Sequence, residues 1–347
     1  MSNYVTIRVP ARLHLGFLDL NGDAGRRFGS IGLPLSEPET VVTLSRAAET
    51  SIEGSEAVRV EQHLSALCRH LGIKSQHRLV VEQAIPAHAG LGSGTQIALA
   101  VAATLRTLHR LPLDIAGDAM LFARGARSGI GIASFESGGL IVDAGKASSD
   151  KPPPVVARLP FPEEWRVLLI LDEAVEGLHG ADELEAFRAL PPFPATGAGE
   201  ICRQVLMGLM PALIERDLPA FGAAVTTIQM LVGTHFAPAQ GGVFTSRRVE
   251  ALAQRLAELG AVGIGQSSWG PTGFAFAPSE DEAKRLLGSV RDATGAGIEI
   301  RIVRGRNSGA TISSAALDLV GSRRHGRAPT TLKQKGERWP GNISCIC

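Results

Sequence analysis

From Tyr4 to Phe17 apolar and polar positions alternate (YVTIRVPARLHLGF), with β-branched residues among them, which predicts a strand or hairpin. Gly16, Gly22, Gly25, Gly29 and Gly32 then punctuate a stretch expected to be a loop, after which TVVTLSR (40–46) resumes strand character. An amphipathic helical pattern runs from Val58 to Leu71. RLVVEQAI (78–85) is a strand that leads directly into Pro86-Ala-His-Ala-Gly-Leu-Gly-Ser-Gly-Thr-Gln96, and Ile97 to Leu108 is almost pure helix former. The order is therefore strand, glycine loop, helix. A second helix is expected over Asp114 to Gly125, then a glycine-rich stretch (128–139) and a short strand, LIVDA. The polar, proline-rich segment Lys146 to Pro154 marks a linker and the expected domain boundary. Beyond it lie a buried strand (WRVLLILD), helices around Glu200–Glu215, Leu218–Val232 and Ser246–Leu259, and a glycine loop at 261–276. A helix from Glu280 to Ala293 and a strand IEIRIVRG close the pattern. The chain thus divides into residues 1–150, residues 155–317 and a basic tail, 318–347, expected to be disordered.

Composition narrows the partners. Lys and Arg number 35 against 34 Asp and Glu, a net charge of +1, so the basic face of a nucleic-acid binder is missing outside the tail. A small-molecule partner fits better. The four cysteines form no framework: Cys68 and Cys202 sit in apolar helical patterns, and Cys345 and Cys347 lack companions for a metal site. No signal peptide and no apolar run near about 18 residues is visible, so a cytoplasmic protein without membrane contact is expected.

The loop at 86–96 carries the chemistry. A helix N-terminus exposes unpaired N–H groups and the positive end of its dipole, and glycines before it let the backbone wrap an anion. Gly90, Leu91, Gly92, Ser93, Gly94, Thr95 and Gln96 are accordingly read as a phosphate cradle, with hydroxyl donors from Ser93 and Thr95. The spacing is neither that of a P-loop nor that of the dinucleotide fingerprint. Arg12 and His14 alternate with Leu13 and Leu15 and share one strand face, either a site or a solvated surface. His88 lies on the cradle itself, as a phosphate donor, an acid/base or a structural cap. His179 follows the end of a buried strand. Asp19 is either a Mg2+ ligand or a turn residue, and Arg26 suits a phosphate or carboxylate. Trp269, beside Gln266, Ser267 and Ser268, either stacks on an aromatic substrate or packs in the core.

Pro86-x-His-x-Gly-Leu-Gly-Ser-Gly-Thr-Gln resembles the phosphate loop of the GHMP kinase superfamily. Ala11-Arg-Leu-His-Leu-Gly-Phe17 is similar to its opening motif, and Gly263 to Gly273 to its C-terminal glycine motif. The resemblance implies an α+β fold in two domains, an N-terminal one like ribosomal S5 domain 2 and a ferredoxin-like C-terminal one, with the site in the cleft between. A kinase of this superfamily would carry an Asp where Gly131 stands, although Glu136 is a weak substitute. The wording of the motifs, with Gly-Gln-Ser-Ser-Trp-Gly-Pro, looks instead like the β-ribofuranosylaminobenzene 5′-phosphate synthases. That resemblance implies phosphoribosyl diphosphate and 4-aminobenzoate as substrates, loss of CO2 and pyrophosphate, Mg2+ as the cation, a homodimer, and an early step towards methanopterin-type cofactors. In this reading Arg12, His14, His88 and His179 are the catalytic candidates. The alternatives are an ATP-dependent small-molecule kinase and a non-catalytic sugar-phosphate-binding protein of the same fold.

Overall fold

A computed structural model describes residues 4–147, 151–177, 180–315 and 330–331. The first half builds around two long antiparallel strands, β1 (Tyr4–Asp19) and β2 (Phe28–Ala47), followed by β3 (Ser51–Gly54), α1 (Ala57–Leu71) and β4 (Gln76–Gln83). Next come α2 (Ser93–Leu108), α3 (Ile115–Leu121), α4 (Ile130–Glu136), β5 (Leu140–Asp143) and β6 (Val155–Leu159). The second half contains β7 (Arg166–Asp172), α5 (Gly180–Ala189), α6 (Ala195–Gln204), a π turn (205–209), α7 (Met210–Glu215) and α8 (Leu218–Gln240). It continues with α9 (Arg247–Glu258), β8 (Val262–Gln266), β9 (Gly273–Ala277), α10 (Glu280–Val290), β10 (Ile298–Val303), β11 (Thr311–Ala315) and β12 (Thr330–Thr331).

Two sheets organise these elements. The larger runs β12-β11-β1-β2-β4-β3, with β5 and β6 continuing from the N-terminal part of β2. The smaller is antiparallel, β10-β7-β9-β8. Alternation along β7 and β9 puts Val167, Leu169, Phe274 and Phe276 into one core with Phe221, Val225 and Ile228 of α8. Leu168, Ile170, Ala275 and Ala277 face the opposite way, against Val249, Leu252 and Leu256 of α9 and Leu286 of α10. The core behind α8 also takes Leu13, Leu15, Ile31 and Leu33 of the large sheet, so the two sheets share apolar contents. The two-domain α+β architecture expected from sequence is present.

Several expectations need correction. The stretch expected to be a loop through Gly29 and Gly32 belongs to β2, which begins at Phe28. A Cβ on Gly32 would lie 1.9 Å from Ile130 Cγ2, so glycine here admits α4 onto the strand rather than bending the chain. Residues 128–139, expected only as a glycine-rich stretch, contain α4. A boundary at residue 155 does not separate the sheets: β6 pairs with β5, and β11 pairs with β1, both in the larger sheet. Long-range pairing of this kind has no local signature. Although no long apolar run was expected, α8 is long and apolar enough by composition to cross a membrane, yet Phe221, Val225 and Ile228 are packed in the core. The basic tail lies outside the described residues apart from Thr330–Thr331, which pair with β11.

Candidate active site

Three loops meet backbone to backbone beside β1. Arg12 N donates to Leu91 O (3.1 Å), and Arg12 Nη1 to Gly90 O (2.5 Å). His14 N donates to Ser267 Oγ (3.0 Å), which itself donates to Gly90 O (2.8 Å). Gly177 N donates to His88 O at 3.1 Å. Glycines make this contact feasible: a Cβ on Gly270 would lie 2.3 Å from the Ala89 carbonyl, and one on Gly177 2.4 Å from Trp269 O. His88 (φ 55°) and Ser268 (φ 57°) adopt left-handed backbone at the junction.

The junction opens onto a cleft of about 460 Å³. Gly90, Gly92, Ser93, Gly94 and Thr95 line it, and α2 starts there with no side-chain cap on its N-terminus. Four arginines, Arg12, Arg59, Arg124 and Arg127, line the same cleft against one carboxylate, Glu183, which pairs with Arg127 at 2.6 Å. Arg12 Nε, His14 Nε2, Arg124 Nε, Arg127 Nη1 and Trp269 Nε1 are buried without a partner among the described residues. An excess of buried, unfulfilled donors with positive charge is the chemistry of a polyanion site.

Burial lowers the Arg12 pKa to about 10, partly offset by Glu183. Burial, then Arg12 and Arg127, push the His14 imidazole down to about 3. Burial and two neighbouring guanidinium groups thus favour a neutral His14 ring near pH 7. Nuclear magnetic resonance titration is expected to show its ring unprotonated from pH 8 down to about 4; a midpoint near 6.5 would contradict this environment.

A buried carboxylate supports the cleft wall from behind. Asp143 Oδ2 accepts from Gly129 N (2.8 Å) and Ser128 Oγ (3.4 Å), and Oδ1 accepts from Gly145 N (2.9 Å). Burial raises its pKa from 3.8 to about 6, against the pull of those donors. The folded state thus binds more protons than the unfolded chain between those values, and stability falls as pH rises through that window. Asp143→Asn turns an amide donor towards a backbone N–H, and is expected to lower stability by about 2 kcal/mol at pH 7. It should also flatten the pH dependence of the denaturation midpoint; an unchanged midpoint at pH 7 would contradict the double acceptor role.

The other sequence candidates divide. His88, Ser268 and Trp269 line the cleft with Arg12 and His14. Trp269 also packs against Phe236 (4.2 Å between ring centroids) and Phe187 (5.3 Å), so its ring belongs to the core as well as to the wall. Leu91 is buried in the core, and Gln96 Nε2 donates to Gly131 O (2.8 Å), which ties α2 to α4. Gln266 is spent on structure: its side chain bonds Thr245 N, Gln240 Oε1 and Ser268 O. Asp19 accepts from Asn21 N (2.7 Å) and Gly22 N (3.0 Å), the turn alternative, and does not line the cleft. Arg26 donates to Ala144 O (2.7 Å) and Gly145 O (2.8 Å), again outside the lining. Glu136 lines a different hollow, with Arg158. His179 lies outside the described residues. No cluster of three or more His, Cys, Asp or Glu occurs among the described residues.

Sequence reading overlooked Arg59, Arg124, Arg127 and Glu183. The signal for two of them was present in Phe122-Ala-Arg-Gly-Ala-Arg-Ser-Gly129, where two arginines flank Gly125 within a run of small residues. Such a turn buries little apolar surface, so its arginines have no packing role to explain them.

The fold and its glycine loops define a GHMP-type protein: the family "GHMP kinases N terminal domain" matches residues 58–140, and "GHMP kinases C terminal" matches residues 209–296. Solved structures agree on the fold. Homoserine kinase from Cytophaga hutchinsonii superimposes with a TM-score of 0.66 at 18% identity, covering 90% of this chain and 98% of its own. Mevalonate diphosphate decarboxylase from Staphylococcus aureus gives 0.63 at 14%, covering 90% and 98%. The chain belongs to the beta-ribofuranosylphenol 5′-phosphate synthase family. It is 35% identical to the Methanothermobacter thermautotrophicus synthase over 326 residues, 88% of this chain and 97% of the relative. Against the Archaeoglobus fulgidus synthase it is 34% identical over 326 residues, 88% and 98%. It is thus an enzyme, and neither the kinase nor the non-catalytic alternative is favoured. Gly131, where a kinase of this superfamily would carry its Asp, faces Thr95, 3.0 Å from where a Cβ would stand.

Proposed function

We propose that the chain condenses phosphoribosyl diphosphate with a 4-substituted benzoate, releasing CO2 and pyrophosphate and leaving a C-riboside 5′-phosphate. The observation that carries this reading is a cleft in which four arginines and an uncapped helix N-terminus adjoin an apolar wall of Phe17 and Trp269. As the C1–O bond to the diphosphate breaks, charge grows on the leaving group beside the donors of Ser93, Thr95 and α2. The ring carbon bearing the carboxylate bonds to C1. The C–CO2 bond then breaks, and its electron pair restores the aromatic ring. Arg12 holds the carboxylate by a charge-assisted contact, and the adjoining apolar wall favours its departure as neutral CO2. His14, neutral, contributes a hydrogen bond only.

Mg2+ fits as a cation carried in with the diphosphate. Glu183 and the hydroxyls of Ser93 and Ser128 are the oxygen donors that would hold it. When bound it would neutralise charge on the leaving group. Asp19, committed to its turn, does not fit that role. The same reading makes the enzyme cytoplasmic, a step towards methanopterin-type cofactors, and a homodimer, for which the exposed Leu206, Met207 and Ile214 offer an apolar face.

Carboxyl-labelled benzoate with phosphoribosyl diphosphate, Mg2+ and no ATP is expected to release labelled CO2 only when both substrates are present. Consumption of ATP without CO2 release would overturn the reading. The relatives' name specifies a phenol, which supports 4-hydroxybenzoate; the family resemblance of the motifs implies 4-aminobenzoate, and the sequence by itself leaves both acids open. Relative kcat/KM for the two acids assigns the ring substituent.

A further inference from the structure

Arg26, the sequence candidate for the sugar phosphate, is occupied by carbonyls outside the cleft. A substrate with a diphosphate on one side of its ribose and a phosphomonoester on the other needs a second anion seat. Two further arginines of the cleft, Arg124 and Arg59, are the candidates. Arg124 lies over the first turn of α2: a Cβ on Gly94 would be 3.3 Å from Arg124 Nη1. The backbone is bent to place it there, with Ala123 (φ 53°) and Gly125 (φ 80°) in left-handed conformation on either side. Arg59 reaches the same cleft from α1, and Glu56 engages its Nη1 at 2.7 Å.

We infer that Arg124 and Arg59 form a phosphomonoester subsite that receives the 5-phosphate of the sugar, adjoining the diphosphate seat on the glycine loop. The inference rests on the synthase reading above for the identity of the sugar. Its geometric basis is independent of that reading. Arg124 Nε is buried without a partner among the described residues, and no ion pair to Arg124 occurs there. Burial and the neighbouring Arg59 both disfavour the Arg124 charge. His63, one turn along α1 from Arg59, is held neutral by burial, Arg124 and Arg59, with its pKa near 4 and its buried Nε2 also unpartnered. The two guanidinium groups repel each other, and Glu56 pairs with Arg59 alone. A phosphate dianion, with three acceptor oxygens, relieves that repulsion and meets both forks. The diphosphate instead finds backbone N–H groups and the Ser93 and Thr95 hydroxyls. Arg12, beside Phe17 and Trp269, is left for the carboxylate of the aromatic acid.

The test separates the two anion seats without catalysis. Ribose 5-phosphate and pyrophosphate are titrated calorimetrically into the wild type, Arg124→Ala, Arg124→Lys and Ser93→Ala. Arg124→Ala is expected to weaken ribose 5-phosphate about 30-fold and pyrophosphate less than about threefold, from the loss of charge-assisted bonds at one seat. Ser93→Ala should show the opposite preference, and Arg124→Lys should recover part of the ribose 5-phosphate affinity, which a merely unfolded variant could not do. Pyrophosphate weakened as much as ribose 5-phosphate, or ribose 5-phosphate unaffected, overturns the subsite. Absence of CO2 release by the wild type would instead sink the synthase reading, whatever the calorimetry gives.

Discussion

Replacing Gly90 with alanine is expected to remove about 3 kcal/mol of stability and all but about 1% of activity. The Cβ would stand 2.1 Å from Ser267 O and 2.9 Å from Gly270 Cα, both backbone atoms that no side-chain rotation can move aside. Gly90 also has φ 78°, where a side chain adds about 1 kcal/mol of strain. Relief requires the phosphate loop and the 266–270 loop to separate. That separation breaks the bonds from Ser267 Oγ and Arg12 Nη1 to Gly90 O, and Arg12 leaves its place in the cleft. Gly92→Ala is the comparison: it shares the left-handed backbone (φ 83°), but the atoms nearest its Cβ belong to the flexible Arg12 side chain, at 3.2 Å. It should cost less stability while still displacing Arg12. Chemical denaturation and labelled CO2 release measure both quantities, and a Gly90→Ala protein near wild type in each would disprove the three-loop junction.

Arg12→Ala is expected to lower kcat/KM about 10³-fold while shifting stability by less than about 1 kcal/mol. Arg12 is a charge held out of water without a carboxylate bonded to it; Glu183 acts on it only at longer range, and its Nε has no partner. Its removal leaves Gly90 O still accepting from Ser267 Oγ, so the junction survives. Two charge-assisted bonds to the benzoate carboxylate, together about 4 kcal/mol, account for the expected loss. Arg12→Lys should recover little, since a point charge cannot make the paired contact. Activity within about tenfold of wild type in Arg12→Ala would remove Arg12 from the chemistry.

The glycine loop at 86–96 was legible because every part of its signal is local: a strand, glycines that permit positive φ, and a run of helix formers. Arg12 and His14 were legible for the same reason, since strand alternation with Leu13 and Leu15 assigns them a shared face. Asp19 and Arg26 were not, because a carboxylate or guanidinium near glycine looks alike whether it meets a ligand or its own backbone. Trp269 proved to be wall and core together, a distinction set by Phe187 and Phe236 from elements far along the chain.

By itself, the order of residues determined most of the helices and strands, the phosphate cradle and the strand face beside it, because backbone preference and hydrophobic period act over a few residues; the class of fold came from the resemblance of its motifs to a known family. Tertiary structure alone decided which cations share the cleft. Arg12 arrives on β1, Arg59 on α1, Arg124 and Arg127 on the turn before α4, and Glu183 on α5. It also decided that β6 and β11 complete the first sheet and that Asp143 anchors the cleft wall. Strand pairing, desolvation and charge–charge repulsion depend on groups distant in sequence, so their outcome exists only once the chain has folded.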